Sequence, residues 1–278
     1  MAMNLGVTIF ATDKSIQPVE LASAVEERGF ESLFVPEHTH IPVSRKTPYP
    51  AGEPLPEEYF RTHDPFVALG AAAAVTTNLT VATGICLVAQ HDPIDLAKQI
   101  ASLDLISGGR FVFGIGYGWN VDEMNDHGID FTLRRDIVRE RMLAIESLWK
   151  DEVASFEGQH VHLPPSYAWP KPVQQPRPPV LIGGAAGPKL FAAIAEYADG
   201  WIPIGGRGLT ENLPKLKAAF EAAGRDPESV RITVFGAQPD AGKLDHYREL
   251  GVERVVFWLP LAPSDTVLPI LDKYTQFL

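Results

Sequence analysis

Eight times along this chain a short run of β-branched and apolar residues gives way to an amphipathic segment of helical period. Strands that alternate with helices pair in parallel, because each helix carries the chain back across the sheet. The runs fall at Gly6–Phe10, Ser32–Pro36, Thr80–Val88, Phe111–Ile115, Val180–Ile182, Gly200–Ile204, Val230–Phe235 and Val255–Leu259. Their helices are expected at Pro18–Arg28, Pro65–Thr76, Ile94–Ile106, Leu133–Trp149, Lys189–Tyr197, Asn212–Ala223, Lys243–Leu250 and Asp265–Phe277. Eight such pairs favour a closed α/β architecture, a single (β/α)8 TIM barrel spanning residues 1–278, over an open doubly wound sheet.

A chain of 278 residues can bury a core of this kind without covalent staples. Cys86 is the sole cysteine, so neither an internal disulfide nor a multi-thiolate zinc site is available, and a small core residue is the expected role. A net charge of -11 argues against broad binding to nucleic acid or anionic membrane. No apolar stretch reaches membrane-spanning length and no export signal stands at the N-terminus, so a cytoplasmic location is expected.

Two insertions break the repeat. Ile41–His63, rich in proline and charge, follows the second strand on the face where barrels carry their active sites; it reads either as a lid or as a passive surface loop. Asp151–Pro179 precedes the fifth strand and reads as a small hairpin, through Phe156–Gly158 and Val161–Leu163, with a proline-rich return.

In such a barrel, chemistry belongs to residues just past each strand. Glu37-His38 after the second strand sets a carboxylate beside an imidazole that can exchange a proton near neutral pH; a salt bridge or a helix cap would use the same residues. Trp119, after Gly114–Gly118, can stack on a planar ring or cover the rim. The glycine-rich run Gly183, Gly184, Ala185, Ala186, Gly187 leads into a helix; its N–H groups can cradle a phosphate, with Lys189 or Arg207 adding charge, or it can serve as a tight turn. No metal-ligand spacing joins His38, His40, His63 and His91, and no GxSxG elbow occurs, so neither a metal-dependent reaction nor serine hydrolysis is expected.

The block His91-Asp92-Pro93-Ile94-Asp95-Leu96-Ala97-Lys98, then Leu103–Phe111 and Gly114–Trp119, resembles the signature of the luciferase-like monooxygenase superfamily, most closely its branch of coenzyme F420-dependent oxidoreductases. Pro170–Gly184 and Ala198–Trp201 are similar to the same family's entry into strands five and six. The resemblance implies a bacterial luciferase-like barrel, commonly a homodimer, holding a deazaflavin or flavin ring in its mouth.

It further implies a catalytic His38 positioned by Glu37, though many members carry Asp where this chain has Glu37. A bulged third strand with a non-prolyl cis peptide would underlie the ring at Thr83-Gly84-Ile85, and such a bond costs about 3 kcal/mol. Phosphate contacts around strands four to six favour the cradle reading of Gly183–Gly187, and Asp122 is the acidic residue expected near the cofactor. In sugar-phosphate-oxidising relatives a glutamate aligns with Trp119, so that substrate class is disfavoured.

The expected activity is hydride transfer between coenzyme F420 and a small organic substrate. The alternatives are an FMN-dependent monooxygenase fed by a separate flavin reductase, and a non-catalytic flavin-binding barrel. A separate F420 reductase would be a further partner.

Overall fold

The computed structural model describes residues 3–278. Its strands are β1 (Asn4–Thr8), β2 (Ser32–Val35), β3 (Thr80–Thr83), β4 (Phe111–Ile115), β5 (Ala154–Glu157), β6 (His162–Ser166), β7 (Val180–Gly183), β8 (Gly200–Ile202), β9 (Arg231–Ala237) and β10 (Arg254–Trp258). The helices are α1 (Pro18–Glu27), α2 (Pro65–Ala74), α3 (Pro93–Ser107), α4 (Val121–Asp126), α5 (Arg134–Lys150), α6 (Pro188–Tyr197), α7 (Leu209–Ala222), α8 (Ala241–Glu249) and α9 (Ser264–Tyr274). Eight parallel strands close in the order β1-β10-β9-β8-β7-β4-β3-β2, and β5 pairs antiparallel with β6 as the expected hairpin.

Strand alternation divides the core into two layers. Leu33 and Val35 of β2, and Phe111 and Phe113 of β4, pack outward beneath the helices. The residues between them, Phe34 and Val112, turn inward and fill the barrel with Ala82, Leu181, Ile202, Phe235 and Val256.

Several residues of the signature block serve this frame. Asp92 caps α3 by accepting from the N–H groups of Ile94 and Asp95 at 2.8 and 3.2 Å. Gly108 ends the helix in the left-handed conformation at φ 66°. Buried Asp104 accepts from the N–H groups of Val173 and Gln174, tying the proline-rich return to α3. Most element ends shift by one to three residues from expectation, and two larger differences bear on the site. The third strand stops at Thr83 rather than Val88, and α4, a short helix in the loop after β4, has no counterpart among the expected helices. No helix among the described residues is long and apolar enough to cross a membrane.

Candidate active site at the barrel mouth

A cavity of about 420 Å³ opens at the C-terminal ends of the strands, within the size range of small-ligand and cofactor pockets. Its floor is the segment after β3, where the Gly84–Ile85 peptide is cis, as the resemblance implied. Glycines make room for Ile85: a Cβ on Gly116 would lie 2.5 Å from Ile85 Cδ1, and one on Gly183 would lie 3.1 Å from its Cγ2. A Cβ on Gly84 would meet the Phe235 ring at 2.6 Å. The glycines are therefore a packing requirement of the floor.

Glu37 and His38 both reach this cavity, but they do not serve each other. Successive residues of an extended segment project to opposite sides, and each finds its own partner. Glu37 accepts from the Leu87 N–H at 2.6 Å through Oε2 and binds His91 Nε2 at 2.6 Å through Oε1. Burial pushes the Glu37 carboxyl up, but the hydrogen bond and charge of His91 and the Leu87 N–H outweigh it, and the net shift is downward. For His91 burial acts downward, and Glu37 reverses it to a net rise. The two shifts agree on an ion pair. The Cys86 thiol, fully buried and beside the Glu37 charge, is pushed well up. Cys86, Glu37 and His91 hold their donor atoms within 4.8 Å of one another, but Glu37 and His91 are already bonded to each other.

His38 turns instead to Glu123, whose carboxylate lies 2.9 Å from Nδ1 through Oε2 and 3.1 Å through Oε1. Glu123 is only 1% exposed. With Nδ1–H donated to a carboxylate, Nε2 is the ring nitrogen left for a ligand in the cavity, and in the neutral imidazole it is a proton acceptor.

The mouth is polarised. Past β4, the first turn of α5 brings Arg134 and Arg135 to the wall. Burial, then the neighbouring charge of Arg135, pushes Arg134 down, and its Nε is buried without a partner. Past β1 and β10, across the eight-strand ring from β4, the wall is aromatic: Phe10 stacks on Trp258 with centroids 5.7 Å apart and touches Tyr59 at 4.8 Å. The loop after β2 supplies Tyr59 and Pro50 to this lining. Tyr59 packs 5.1 Å from the His38 ring, and Trp119 edges on the same ring at 6.0 Å.

A model of the luciferase-like monooxygenase family matches residues 13–238. The chain belongs to that family. An uncharacterised protein of Mycobacterium tuberculosis is 43% identical over 277 residues, 98% of this chain and 97% of its own. An F420-dependent hydroxymycolic acid dehydrogenase of the same organism is 27% identical, over 83% of this chain and 61% of its own. Among solved structures, an F420-dependent secondary alcohol dehydrogenase in complex with an F420-acetone adduct superposes with a TM-score of 0.78 at 18% identity, covering 100% of this chain and 98% of that one. The luciferase-like barrel is thus the fold, and oxidoreductase or monooxygenase is the class of enzyme.

Within this luciferase-like site, the sequence-derived candidates separate cleanly. His38, Gly84, Ile85, Trp119, Gly183 and Gly184 line the cavity, and Glu37 does so while held by His91. Thr83 lies beneath, fully buried, its hydroxyl donating to the Gly114 carbonyl at 2.7 Å. Asp122 is corrected from cofactor contact to loop anchor: it accepts from the N–H and hydroxyl of Thr47 at 2.9 and 2.6 Å, outside the cavity. Its neighbour Glu123 is the acid that enters the site, because one step along a helix turns a side chain by about 100°.

Past Gly184 the chain leaves the mouth. Ala185 is exposed, Ala186 and Gly187 line a groove between α6 and α7, and Lys189 stands exposed on the first turn of α6. Arg207 is exposed on the turn after β8, which lends only Ile204 to the cavity. The α6–α7 groove is larger, at about 1070 Å³, but much of its wall is alanine and it holds no acid–imidazole pair; the candidate site is therefore the mouth.

Sequence reasoning passed over Arg134 and Arg135. Their signal was present, since paired cations at a helix N-terminus oppose the helix dipole and call for a functional reason.

Proposed function

We propose that this chain is an F420-dependent oxidoreductase that moves hydride between the deazaflavin and a small organic alcohol or carbonyl compound. The observation that carries this reading is the buried His38–Glu123 pair, which aims one free imidazole nitrogen into a cavity floored by Ile85 and glycine. The residues suit a planar cofactor with an anionic tail: Ile85, Trp119 and Tyr59 offer apolar surface to a ring, and the partnerless Nε of Arg134, with Arg135 beside it, offers donors to phosphate. When bound, the deazaflavin supplies the carbon that exchanges hydride.

The chain's own residues do the rest. In the direction of alcohol oxidation, His38 Nε2 takes the hydroxyl proton while the carbon–hydrogen bond gives up its electron pair with the hydride and the carbonyl forms. Glu123 fixes the tautomer and stabilises the imidazolium that results. Trp119 and Tyr59 close over His38 and keep water from it. The F420 relative and the F420-bound neighbour support this choice of cofactor.

Fluorescence titration with F420, FMN and nicotinamide nucleotides tests it. F420 is expected to bind most tightly and to raise the melting temperature. Tighter FMN binding with substrate-dependent oxygen consumption would replace the reading with a flavin monooxygenase, and no F420 binding at all would sink it.

A further inference from the structure

Beside the mouth lies a second depression, about 580 Å³, that shares Phe10, Tyr59 and Trp258 with the main cavity. These three rings are the partition between the two spaces. Beyond them the groove is bounded by Leu259, Pro260 and Leu261 of the β10–α9 loop and by Ile270 of α9. Its polar edge consists of Glu58 and Tyr49, and no cation lines it.

We infer that the substrate is a neutral alcohol or carbonyl compound bearing an extended apolar chain, with its oxygen at His38 and its chain passing the Phe10–Tyr59–Trp258 partition into this groove. The inference rests on the proposed role of His38 and deepens it.

Three observations lead there. The partition begins one ring from the reacting group, since Tyr59 packs 5.1 Å from His38. The cavity's cations stand past β4, across the barrel from β1 and β10, so an anionic ligand portion is drawn to the wall opposite the groove. Within the groove a carboxylate from Glu58 disfavours a second anion, while the side chains of Leu259, Pro260, Leu261 and Ile270 are apolar. An anionic tail would meet Glu58 with no cation in the lining to offset it. A chain of methylenes would not.

The test uses the full chain without cofactor. The neutral fluorophore N-phenyl-1-naphthylamine is bound and displaced by straight-chain secondary alcohols from 2-butanol to 2-decanol. Affinity is expected to rise with each added methylene, by about fourfold at complete burial. Leu261→Arg, which fills the groove with a cationic side chain, is expected to abolish that dependence while 2-butanol binds as before. Ile270→Arg repeats the test from the helix side, should the first variant unfold on melting analysis.

Affinity that ignores chain length would overturn the inference. So would a length dependence that survives both substitutions, because the chain would then lie elsewhere. Titrating F420 into the same variants separates this result from the cofactor reading: the groove variants are expected to leave F420 affinity unchanged, and loss of F420 binding in the wild type would sink the cofactor reading alone.

Discussion

Adjacent residues Glu37 and His38 each belong to a carboxylate–imidazole pair, and the two pairs do different things. Glu37–His91 is closed: both carboxylate oxygens are taken, one by His91 and one by the Leu87 N–H, and the pair clamps the segment that follows the Gly84–Ile85 cis peptide. Glu123–His38 is open. Both Glu123 oxygens lie on one imidazole nitrogen, and the other nitrogen is left to the cavity. The same two residue types make a structural clamp where the two carboxylate oxygens hold different partners, and a candidate reactive group where both oxygens hold one imidazole that lines the cavity.

Substitutions at the two histidines should therefore separate activity from stability. His38→Gln, which keeps an N–H that can reach the buried Glu123 carboxylate but lacks the basic imidazole nitrogen, is expected to lower turnover with the oxidoreductase substrate about 10² to 10⁴-fold with little change in melting temperature. Steady-state kinetics beside a thermal melt checks this. A comparable loss of stability would mean that the open pair is also structural.

His91→Ala should show the reverse. It leaves the buried Glu37 carboxylate without its main partner, at a cost of about 3 kcal/mol, or a melting point lower by roughly 6–12 °C. Once folded at low temperature, the variant is expected to keep most of its turnover. If His91→Ala lost activity as completely as His38→Gln while melting normally, the assignment of roles would be inverted.

Glu123→Gln sharpens the open pair alone. Glutamine can still accept from Nδ1–H, so His38 keeps its place, but the charge that stabilises the imidazolium is gone. Turnover should fall by roughly tenfold, read by steady-state kinetics. Unchanged turnover would show that Glu123 only packs against His38.

The frame of this contrast was legible in the sequence, and its wiring was not. Period gave the eight strand–helix pairs, because the alternation around Phe34 and Val112 acts within a few residues of itself. It also placed His38 and Trp119 at the mouth, since position past a strand decides which face a residue serves, whereas Gly84 and Ile85 came from the family resemblance. Glu37 was paired with the wrong histidine because adjacency in sequence suggested contact where extended backbone sends neighbours apart. The true partners, His91 and Glu123, lie 54 and 85 residues from their mates. Glu123 was hidden a second way: without α4, nothing distinguished it from Asp122, and only the helical turn buries one and leaves the other half-buried at Thr47.

The smallest effect concerns how the closed pair responds to pH, and its direction follows from the two opposed shifts. The His91 value in the fold lies above 6.5, so its contribution to stability is complete below that pH and is lost as pH rises through the folded value. The Glu37 value lies below 4.5, so its contribution is complete above that pH and is lost as pH falls through the folded value. The pair is worth most between these limits. His91→Gln removes the ionisation while keeping an N–H that can reach Glu37. The melting difference between wild type and His91→Gln should therefore be greatest near pH 5 to 6, from the two ordinary values, and shrink toward pH 9 and toward pH 3. A difference that kept growing above pH 7 would mean that His91 is neutral in the fold. The clamp would then be a hydrogen bond without an ion pair, and the contrast with His38 would rest on geometry alone.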